Sequence, residues 1–268
     1  MAYEILVLDI DGTLTNSKKE ISNNTLEAIL NIQERGHIVV LASGRPTPGI
    51  LELSDKLQLA KYKGYILSYN GGKIIHCASN SIIFQKVLEQ STIPELYQDA
   101  IEHKVGIITY EDNSIIAGTK VDEYMMKESS INKIPIKEVT NFCDYVTFDV
   151  NKCLMTGEQN HLAYVEEQLK KKYKNKLSIY RSESYFLEIM PKGIDKAKSL
   201  SKLLEHLNLT KEQLICCGDG YNDLTMIEYA GLGVAMENAN DDVKKVADFI
   251  THSNDNDGVV HVINQFLL

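Results

Sequence analysis

Two aspartates stand two residues apart at the end of an apolar stretch near the N-terminus. Ile5-Leu6-Val7-Leu8 has the character of a buried strand, and Asp9-Ile10-Asp11-Gly12-Thr13 follows it directly. In an extended backbone, residues i and i+2 project to the same side, and open α/β sheets bind ligands outside the carboxyl ends of their strands. We therefore expect Asp9 and Asp11 to share one site, and their spacing suggests phosphoryl chemistry.

Two carboxylates this close need a counter-charge, because like charges repel and one pKa rises unless a cation or a donor intervenes. Mg²⁺ takes oxygen ligands and keeps several waters, so one carboxylate could bind it while another stays free for chemistry. A calcium loop fits less well, since its later ligand positions fall on Thr13 and Leu14. Solvated aspartates in a strand-end turn are the alternative for this segment taken alone.

A second acidic loop follows another apolar run near the C-terminus. Leu214-Ile215-Cys216-Cys217 leads into Gly218-Asp219-Gly220-Tyr221-Asn222-Asp223. Asp219 and Asp223 are four residues apart, so a loop or a first helical turn can point both toward one cation. The glycines beside Asp219 allow the backbone to approach a ligand closely. A dinucleotide-binding loop is excluded, because it requires a further glycine where Asp223-Leu224 stands.

Two further segments supply groups that bind phosphate. Ser43-Gly44-Arg45-Pro46 follows the apolar run 38–42, and a hydroxyl with backbone amides at a helix N-terminus suits an anion. Ser43 could instead be only a helix cap, and Arg45 could pair with a surface acid as readily as with phosphate. Lys196, at the start of a predicted helix, offers the fixed ammonium that phosphoryl transfer needs, with Lys192 as its competitor.

These four segments, in this order, resemble the four motifs of the haloacid dehalogenase-like phosphatases, particularly the Cof-type branch with a large inserted α/β cap. The resemblance covers the whole chain, and Ala197 departs from the glycine that the family often has after the motif lysine. A further segment, Ser68-Tyr69-Asn70-Gly71-Gly72, is similar to a loop that many Cof-type members place beside the substrate. Asn70-Gly71 is equally common as a plain hairpin turn.

The resemblance implies a role for each motif residue. Asp9 would be the nucleophile that forms an aspartyl-phosphate, and Asp11 the general acid and base of the two half-reactions. Lys196 would bind phosphate and offset the charge of Asp9. The implied Mg²⁺ ligands are Asp9, the Asp11 backbone carbonyl, Asp219 and Asp223, the last in the first or second shell. The candidate phosphate- or substrate-binding residues are Gly12, Ser43, Gly44, Arg45, Asn70 and Asn222.

Alternating apolar and helical patterns predict an α/β fold with a Rossmann-like parallel-sheet core and an inserted α/β cap. The core is expected to contain residues 1–84 and 191–268. Its predicted strands are 4–9, 38–42, 64–69, 213–217, 232–235 and 248–251, and its helices are 22–36, 46–57, 195–207, 221–229, 240–246 and a final one. Residues 85–190 mix strands and helices such as 159–172, and this cap would exclude water and recognise the leaving group.

Composition narrows the class of protein. The formal net charge of the 268 residues is −9, which argues against a nucleic-acid surface. We see neither a long apolar run nor a signal peptide, so we expect a cytoplasmic protein without a membrane partner. The expected oligomeric state is a monomer or homodimer.

The five cysteines lack metal-binding spacing and are expected to be reduced thiols. Lys170–Lys172 is expected to be a solvated helix end, and 254–258 a turn rather than a calcium loop.

The leading hypothesis is a Mg²⁺-dependent phosphomonoesterase that acts on a small phosphorylated metabolite, with sugar phosphates as the first substrate class to test. A phosphosugar mutase uses similar acids but returns the phosphoryl group to the substrate. A binding or regulatory protein without turnover belongs to a different class. The joint presence of Asp9, Asp11, Ser43, Lys196 and Asp219 argues against the last alternative.

Overall fold

The computed structural model describes residues 3–268, along which strands and helices alternate. The strands are β1 Ile5–Leu8, β2 Ile38–Ala42, β3 Tyr65–Ser68, β4 Lys73–His76, β5 Ser81–Gln85, β6 Gly106–Glu111, β7 Ser114–Ala117, β8 Ile136–Glu138, β9 Cys153–Thr156, β10 Leu177–Glu183, β11 Phe186–Pro191, β12 Leu214–Gly218, β13 Leu232–Ala235 and β14 Phe249–Ile250. The helices are α1 Asn23–Glu34, α2 Pro48–Lys56, α3 Thr92–Glu102, α4 Glu123–Asn132, α5 Phe142–Tyr145, α6 Gln159–Lys172, α7 Lys196–Leu207, α8 Leu224–Tyr229, α9 Asp241–Val246 and α10 Gly258–Phe266.

The chain divides into two compact units. The core unit runs to Phe84 and resumes at Asp195, whereas Gln85–Ile194 forms the inserted unit. The second junction lies four residues later than the sequence predicted. The reason is that β11 continues to Pro191 as part of the inserted unit's sheet, where Leu177 pairs with Pro191.

The core unit is built on an eight-stranded sheet in the order β14-β13-β12-β1-β2-β3-β4-β5. From β14 to β3 every neighbouring pair is parallel. β1, β2, β12 and β13 are apolar at nearly every position and almost fully buried, as strands covered on both faces by helices should be. The predicted α/β fold with a parallel-sheet core is confirmed.

The sheet differs from the prediction at one edge. β4 pairs antiparallel with β3, with Ser68 opposite Lys73, and β5 adds a further strand. Both are short strands with partly exposed positions, and neither was among the predicted strands. The predicted helix 221–229 also begins differently, because Tyr221–Asp223 forms a 3₁₀ turn before α8 starts at Leu224.

The inserted unit has its own six-stranded sheet in the order β10-β11-β9-β6-β7-β8. Its pairs are antiparallel except for β7 with β8. A separate apolar core joins this sheet to α3, α5 and α6 through residues such as Leu96, Phe142 and Leu162. No helix within residues 3–268 is both long enough and apolar enough to cross a membrane.

Candidate active site

The candidate residues follow the carboxyl ends of neighbouring strands of the core sheet. β1 lies between β12 and β2, and Leu8 is in register with both Cys217 and Leu41. Asp9 comes next after β1, and its backbone N–H donates to the Cys217 carbonyl at 3.0 Å. Since parallel strands end at the same edge of a sheet, the loops that carry Asp9, Ser43 and Asp219 meet there.

A tight turn after β1 shapes the first loop. The Leu14 and Thr15 N–H groups donate to the carbonyls of Asp9 and Ile10, at 3.1 and 2.9 Å. Gly12 has φ +91°, and a Cβ at this position would lie 2.3 Å from Asp219 Oδ2. Only glycine combines this backbone conformation with the close approach of an acidic side chain.

Lys196 lies at the centre of the site and is completely buried. It is the first residue of α7, and Asp195 caps that helix by accepting the Lys198 N–H at 2.9 Å. Its ammonium donates to Asp9 Oδ1 at 2.7 Å, to Asp223 Oδ1 at 2.6 Å and to the Ala42 carbonyl at 2.8 Å. The three donors of the ammonium are thus used by three fixed acceptors.

Burial disfavours the charge on Lys196, yet the carboxylates of Asp223 and Asp9 outweigh burial and hold its pKa above the usual range. For Asp9 the balance is reversed. Burial and the charge of Asp223 raise the pKa of Asp9 to about 8, although Lys196 opposes the rise. One ammonium therefore does not compensate the buried acids that surround it.

Asp223 organises the second acidic loop. Its Oδ2 accepts the backbone N–H groups of Asp219 and Gly220, at 3.0 and 2.9 Å, while its Oδ1 accepts from Lys196. Asp219 is held from the first loop, because Thr13 Oγ1 donates to Asp219 Oδ1 at 2.9 Å. Burial is the main cause that raises the pKa of Asp219 to about 6.

Asp9, Asp219 and Asp223 each bring a carboxylate oxygen into one cluster, within 4.8 Å of one another. Oxygen ligands from carboxylates suit a hard divalent cation such as Mg²⁺. The raised pKa values of Asp9 and Asp219 point the same way, since a cation would favour the ionised carboxylates against burial and against the charge of Asp223. This donor set therefore fits Mg²⁺. Asp9 and Asp219 fit best as direct ligands, because both oxygens of Asp223 already accept hydrogen bonds.

The Asp11 side chain lies outside that cluster and is bound by cations. Arg45 donates to both of its carboxylate oxygens at 2.8 Å, and Lys19 donates to Oδ1 at 2.9 Å. Burial raises the pKa of Asp11, but the hydrogen bonds and charges of Arg45 and Lys19 outweigh burial and lower it overall. Of the two interpretations of Arg45, the structure shows pairing with an acid, and that acid is the partly exposed Asp11.

Ser43, Gly44, Asn70 and Asn222 come together beside these acids. Ser43 is buried, and its Oγ accepts the Arg45 N–H at 3.2 Å. Asn222 Nδ2 donates to Asn70 Oδ1 at 3.0 Å, and a Cβ on Gly44 would lie 3.1 Å from the Asn70 amide. Asn70 stands in the hairpin turn between β3 and β4, so this segment is both a hairpin turn and a neighbour of the second acidic loop.

The remaining sequence features have structural partners. Lys192 Nζ contacts Asn175 Oδ1 at 3.4 Å within the inserted unit. Lys170 pairs with Glu166, and Lys172 with Asp99, at the end of α6. Residues 254–256 form a 3₁₀ turn before α10, and Asp255 and Asp257 accept hydrogen bonds from Ser17 and Ser22. The predicted turn in this segment is thus confirmed. All five cysteines are free thiols.

Sequence reasoning missed two contributors to the first loop. The first is Thr13, whose hydroxyl donates to the Asp219 carboxylate. The second is Asn238, whose Nδ2 donates to the Gly12 carbonyl at 2.8 Å. Thr13 could have been found from its position beside the aspartates. Asn238 carries no such signal, because it stands more than 200 residues away among several other amides.

The fold and this arrangement of acids and lysine are those of one enzyme family. Residues 6–263 match the sequence pattern of the haloacid dehalogenase-like hydrolases, and the chain belongs to that family. A haloacid dehalogenase-like hydrolase from Bacteroides thetaiotaomicron with a known crystal structure is 48% identical, with a TM-score of 0.96 over 98% of this chain and 99% of that one.

Two relatives carry more specific names. The 5-amino-6-(5-phospho-D-ribitylamino)uracil phosphatase YcsE of Bacillus subtilis is 31% identical over 99% of this chain and 96% of its own. The subclass IIB sugar phosphatase BT4131 is 25% identical, with a TM-score of 0.82 over 98% of both chains. Within its family the chain is a phosphatase, as the sequence predicted.

Proposed function

We propose that this phosphatase hydrolyses phosphomonoesters of small polyhydroxylated metabolites, with Mg²⁺ as its cofactor and an aspartyl-phosphate as its intermediate. The observation that carries the proposal is the buried contact between Lys196 and Asp9, beside the oxygens of Asp219 and Asp223. This contact supports the proposal, because a carboxylate suited to act as a nucleophile, a fixed positive charge and hard oxygen atoms suited to a metal lie together.

In the first half-reaction, Asp9 attacks phosphorus through a carboxylate oxygen and the bond to the leaving alcohol breaks. Lys196 already holds Asp9 Oδ1 at 2.7 Å, so the other oxygen, Oδ2, is the one that reacts. Lys196 also offsets negative charge that the phosphoryl group brings into a buried site. Asp9, Asp219 and the Asp11 backbone carbonyl would hold Mg²⁺, which would supply further neutralisation of negative charge when bound.

Asp11 donates a proton to the departing oxygen and takes one from the water that hydrolyses the aspartyl-phosphate. Its ion pair with Arg45 favours the ionised form, so the acid half of this cycle requires that the pair open. An incoming phosphate offers Arg45 an alternative partner with matched geometry. Substrate binding would thereby free Asp11 to take up its proton.

The proposed substrate class is supported by the names of two relatives. One acts on a sugar phosphate, and the name of the other describes a phosphate on a ribityl chain, which is a sugar alcohol. In both, the phosphate sits on a chain rich in hydroxyls. The inserted unit, predicted as a cap, is proposed to choose between such leaving groups.

The test is phosphate release from sugar, sugar-alcohol, nucleotide and cofactor phosphates, with Mg²⁺ and with chelator. Wild type is compared with Asp9→Asn and with Asp55→Asn, which changes an exposed aspartate on α2. We expect metal-dependent release that only Asp9→Asn abolishes, and an acid-stable phosphorylated protein species that hydroxylamine removes. Isomerised substrate without release would indicate a mutase, and neither product would indicate a binding protein.

A further inference from the structure

A pair of asparagines ties the C-terminal part of the core unit to the first catalytic loop. Asn238 Nδ2 donates to the Gly12 carbonyl at 2.8 Å, and Asn254 Nδ2 donates to the Thr15 carbonyl at 2.9 Å. The two asparagines also contact each other, because Asn238 Oδ1 accepts the Asn254 backbone N–H at 3.0 Å. We call Asn238 and Asn254 the asparagine bridge.

The bridge fixes the direction of a peptide group. The bond between Gly12 and Thr13 is trans, as are the other described peptide bonds, so its C=O and N–H point in opposite directions. Because Asn238 holds the Gly12 carbonyl on one side, the Thr13 N–H must point to the other. Gly12 has no Cβ and a φ of +91°, a conformation in which the peptide would otherwise turn easily.

Among residues 3–268, no acceptor receives the backbone N–H of the buried residue Thr13. Thr13 is 2% exposed, and its backbone N–H donates to no residue that the structure describes. Its side chain is used elsewhere, since Oγ1 donates to Asp219. Buried donors are normally paired, so an unpaired one requires an explanation, and a bound ligand or ion is one such explanation. The donor lies in the loop that begins at Asp9, and a backbone N–H in such a turn suits an anion.

We propose that Asn238 is a positioning residue of the phosphatase, which orients the Gly12–Thr13 peptide so that the Thr13 N–H binds the transferring phosphoryl group. The proposal rests on the proposed function of the site. Asn238 itself touches only backbone and is solvent-exposed, so its removal leaves the apolar core intact. Its effect is therefore expected on the transition state more than on folding.

Two substitutions of Asn238 distinguish the hydrogen bond that it donates to Gly12 from the hydrogen bond that it accepts from Asn254. Asn238→Ala removes both hydrogen bonds, whereas Asn238→Asp keeps the acceptor for the Asn254 N–H, loses the donor to Gly12 and adds a negative charge. Asn256→Ala is the matched control, because Asn256 Nδ2 donates to Ser253 Oγ within the neighbouring turn. We would measure kcat, KM and melting temperature. We would also measure binding of vanadate, which mimics the phosphoryl transition state, and of inorganic phosphate, both by calorimetry.

Both Asn238 variants should lose about tenfold in kcat, and vanadate affinity should fall by the same factor, since loss of one aligned donor costs up to about 10²–10³. KM, inorganic phosphate affinity and melting temperature should change little, as should every property of Asn256→Ala. Wild-type values for Asn238→Asp would overturn the proposal, as would a lower melting temperature with unchanged vanadate affinity. Wild type that neither releases phosphate nor binds vanadate would instead overturn the proposed function.

Discussion

The guanidinium of Arg45 binds the carboxylate of Asp11 through two hydrogen bonds, from Nε to Oδ2 and from Nη2 to Oδ1, each 2.8 Å long. Arg45 is further fixed by its Nη1, which donates to the Gly49 carbonyl at 3.2 Å. The pair is largely shielded from water on the arginine side. A proposed general acid is thus held in its ionised form by a proposed phosphate-binding residue.

Removing Arg45 should change the pH dependence of turnover. Burial then acts on the Asp11 carboxyl with less opposition, so its pKa rises and it stays protonated to higher pH. We expect the alkaline limb of the kcat/KM profile, which reports the free enzyme, to move to higher pH in Arg45→Ala. Lys19→Ala should move it less, because Lys19 is exposed and its charge is screened.

The control for that profile is Lys56→Ala, which removes an exposed cation paired with Glu52. Its pH profile should match that of wild type. An alkaline limb that stays in place in Arg45→Ala would show that the titrating acid is not Asp11.

Removing the buried ammonium should destabilise the core unit strongly. Lys196→Met leaves Asp9 and Asp223 without their shared cation, and stranding a buried charge costs about 3–5 kcal/mol. The melting temperature should fall by about 10 °C. Changing Asp223 to Asn in the same chain removes one of the two stranded charges, so Lys196→Met/Asp223→Asn should recover part of the loss. If the decreases in melting temperature of the two single variants simply add up in the double variant, Lys196 and Asp223 are not coupled.

Asp9 should make the metal-free protein less stable as pH rises. Its pKa is raised from 3.8 to about 8, so the folded state binds more protons than the unfolded state between those values. Its contribution to the free energy of unfolding therefore falls as pH increases across that window. We expect Asp9→Asn to melt higher than wild type at pH 8 by several degrees, and by less at pH 5. A difference that is constant with pH would argue against a raised pKa.

Mg²⁺ should stabilise the wild-type protein through Asp9 and Asp219. At 100 times its dissociation constant a ligand adds about 2.7 kcal/mol. Asp219→Asn should lose this thermal shift, and Gly12→Ala should reduce it, because the new Cβ would displace the Asp219 carboxylate. Asp242→Asn, which changes an exposed acid on α9, should keep it. A full shift in Asp219→Asn would mean that the metal binds elsewhere.

Most of the core unit was predictable because its strands have simple signals. β1, β2 and β12 are apolar runs that end in polar loops, and parallel strands bring such loops together whatever lies between them in sequence. The same rule correctly placed Asp9, Ser43 and Asp219 at one edge. The short strands β4 and β5 have only brief apolar runs, which periodicity cannot distinguish from other structure.

The partners of side chains were much less predictable. The sequence offered phosphate and an acid as partners for Arg45, and nothing local indicates that the acid is Asp11. Asn238 is a similar case, since its contact with Gly12 spans 226 positions. Such contacts depend on how loops from distant strands pack, and residue type alone does not record that packing.

The position of β1 in the sheet has a consequence for biosynthesis. β1 has β2 on one side, but its other neighbour is β12, which begins at Leu214. A ribosome must therefore synthesise the whole of Gln85–Ile194 before β1, the strand that precedes Asp9, gains its second neighbour. The inserted unit has its own apolar core and can fold during that interval, while one side of β1 still lacks its strand. Asp9 and Asp219 can therefore meet only after the inserted unit has been synthesised, because that unit lies between them in the chain.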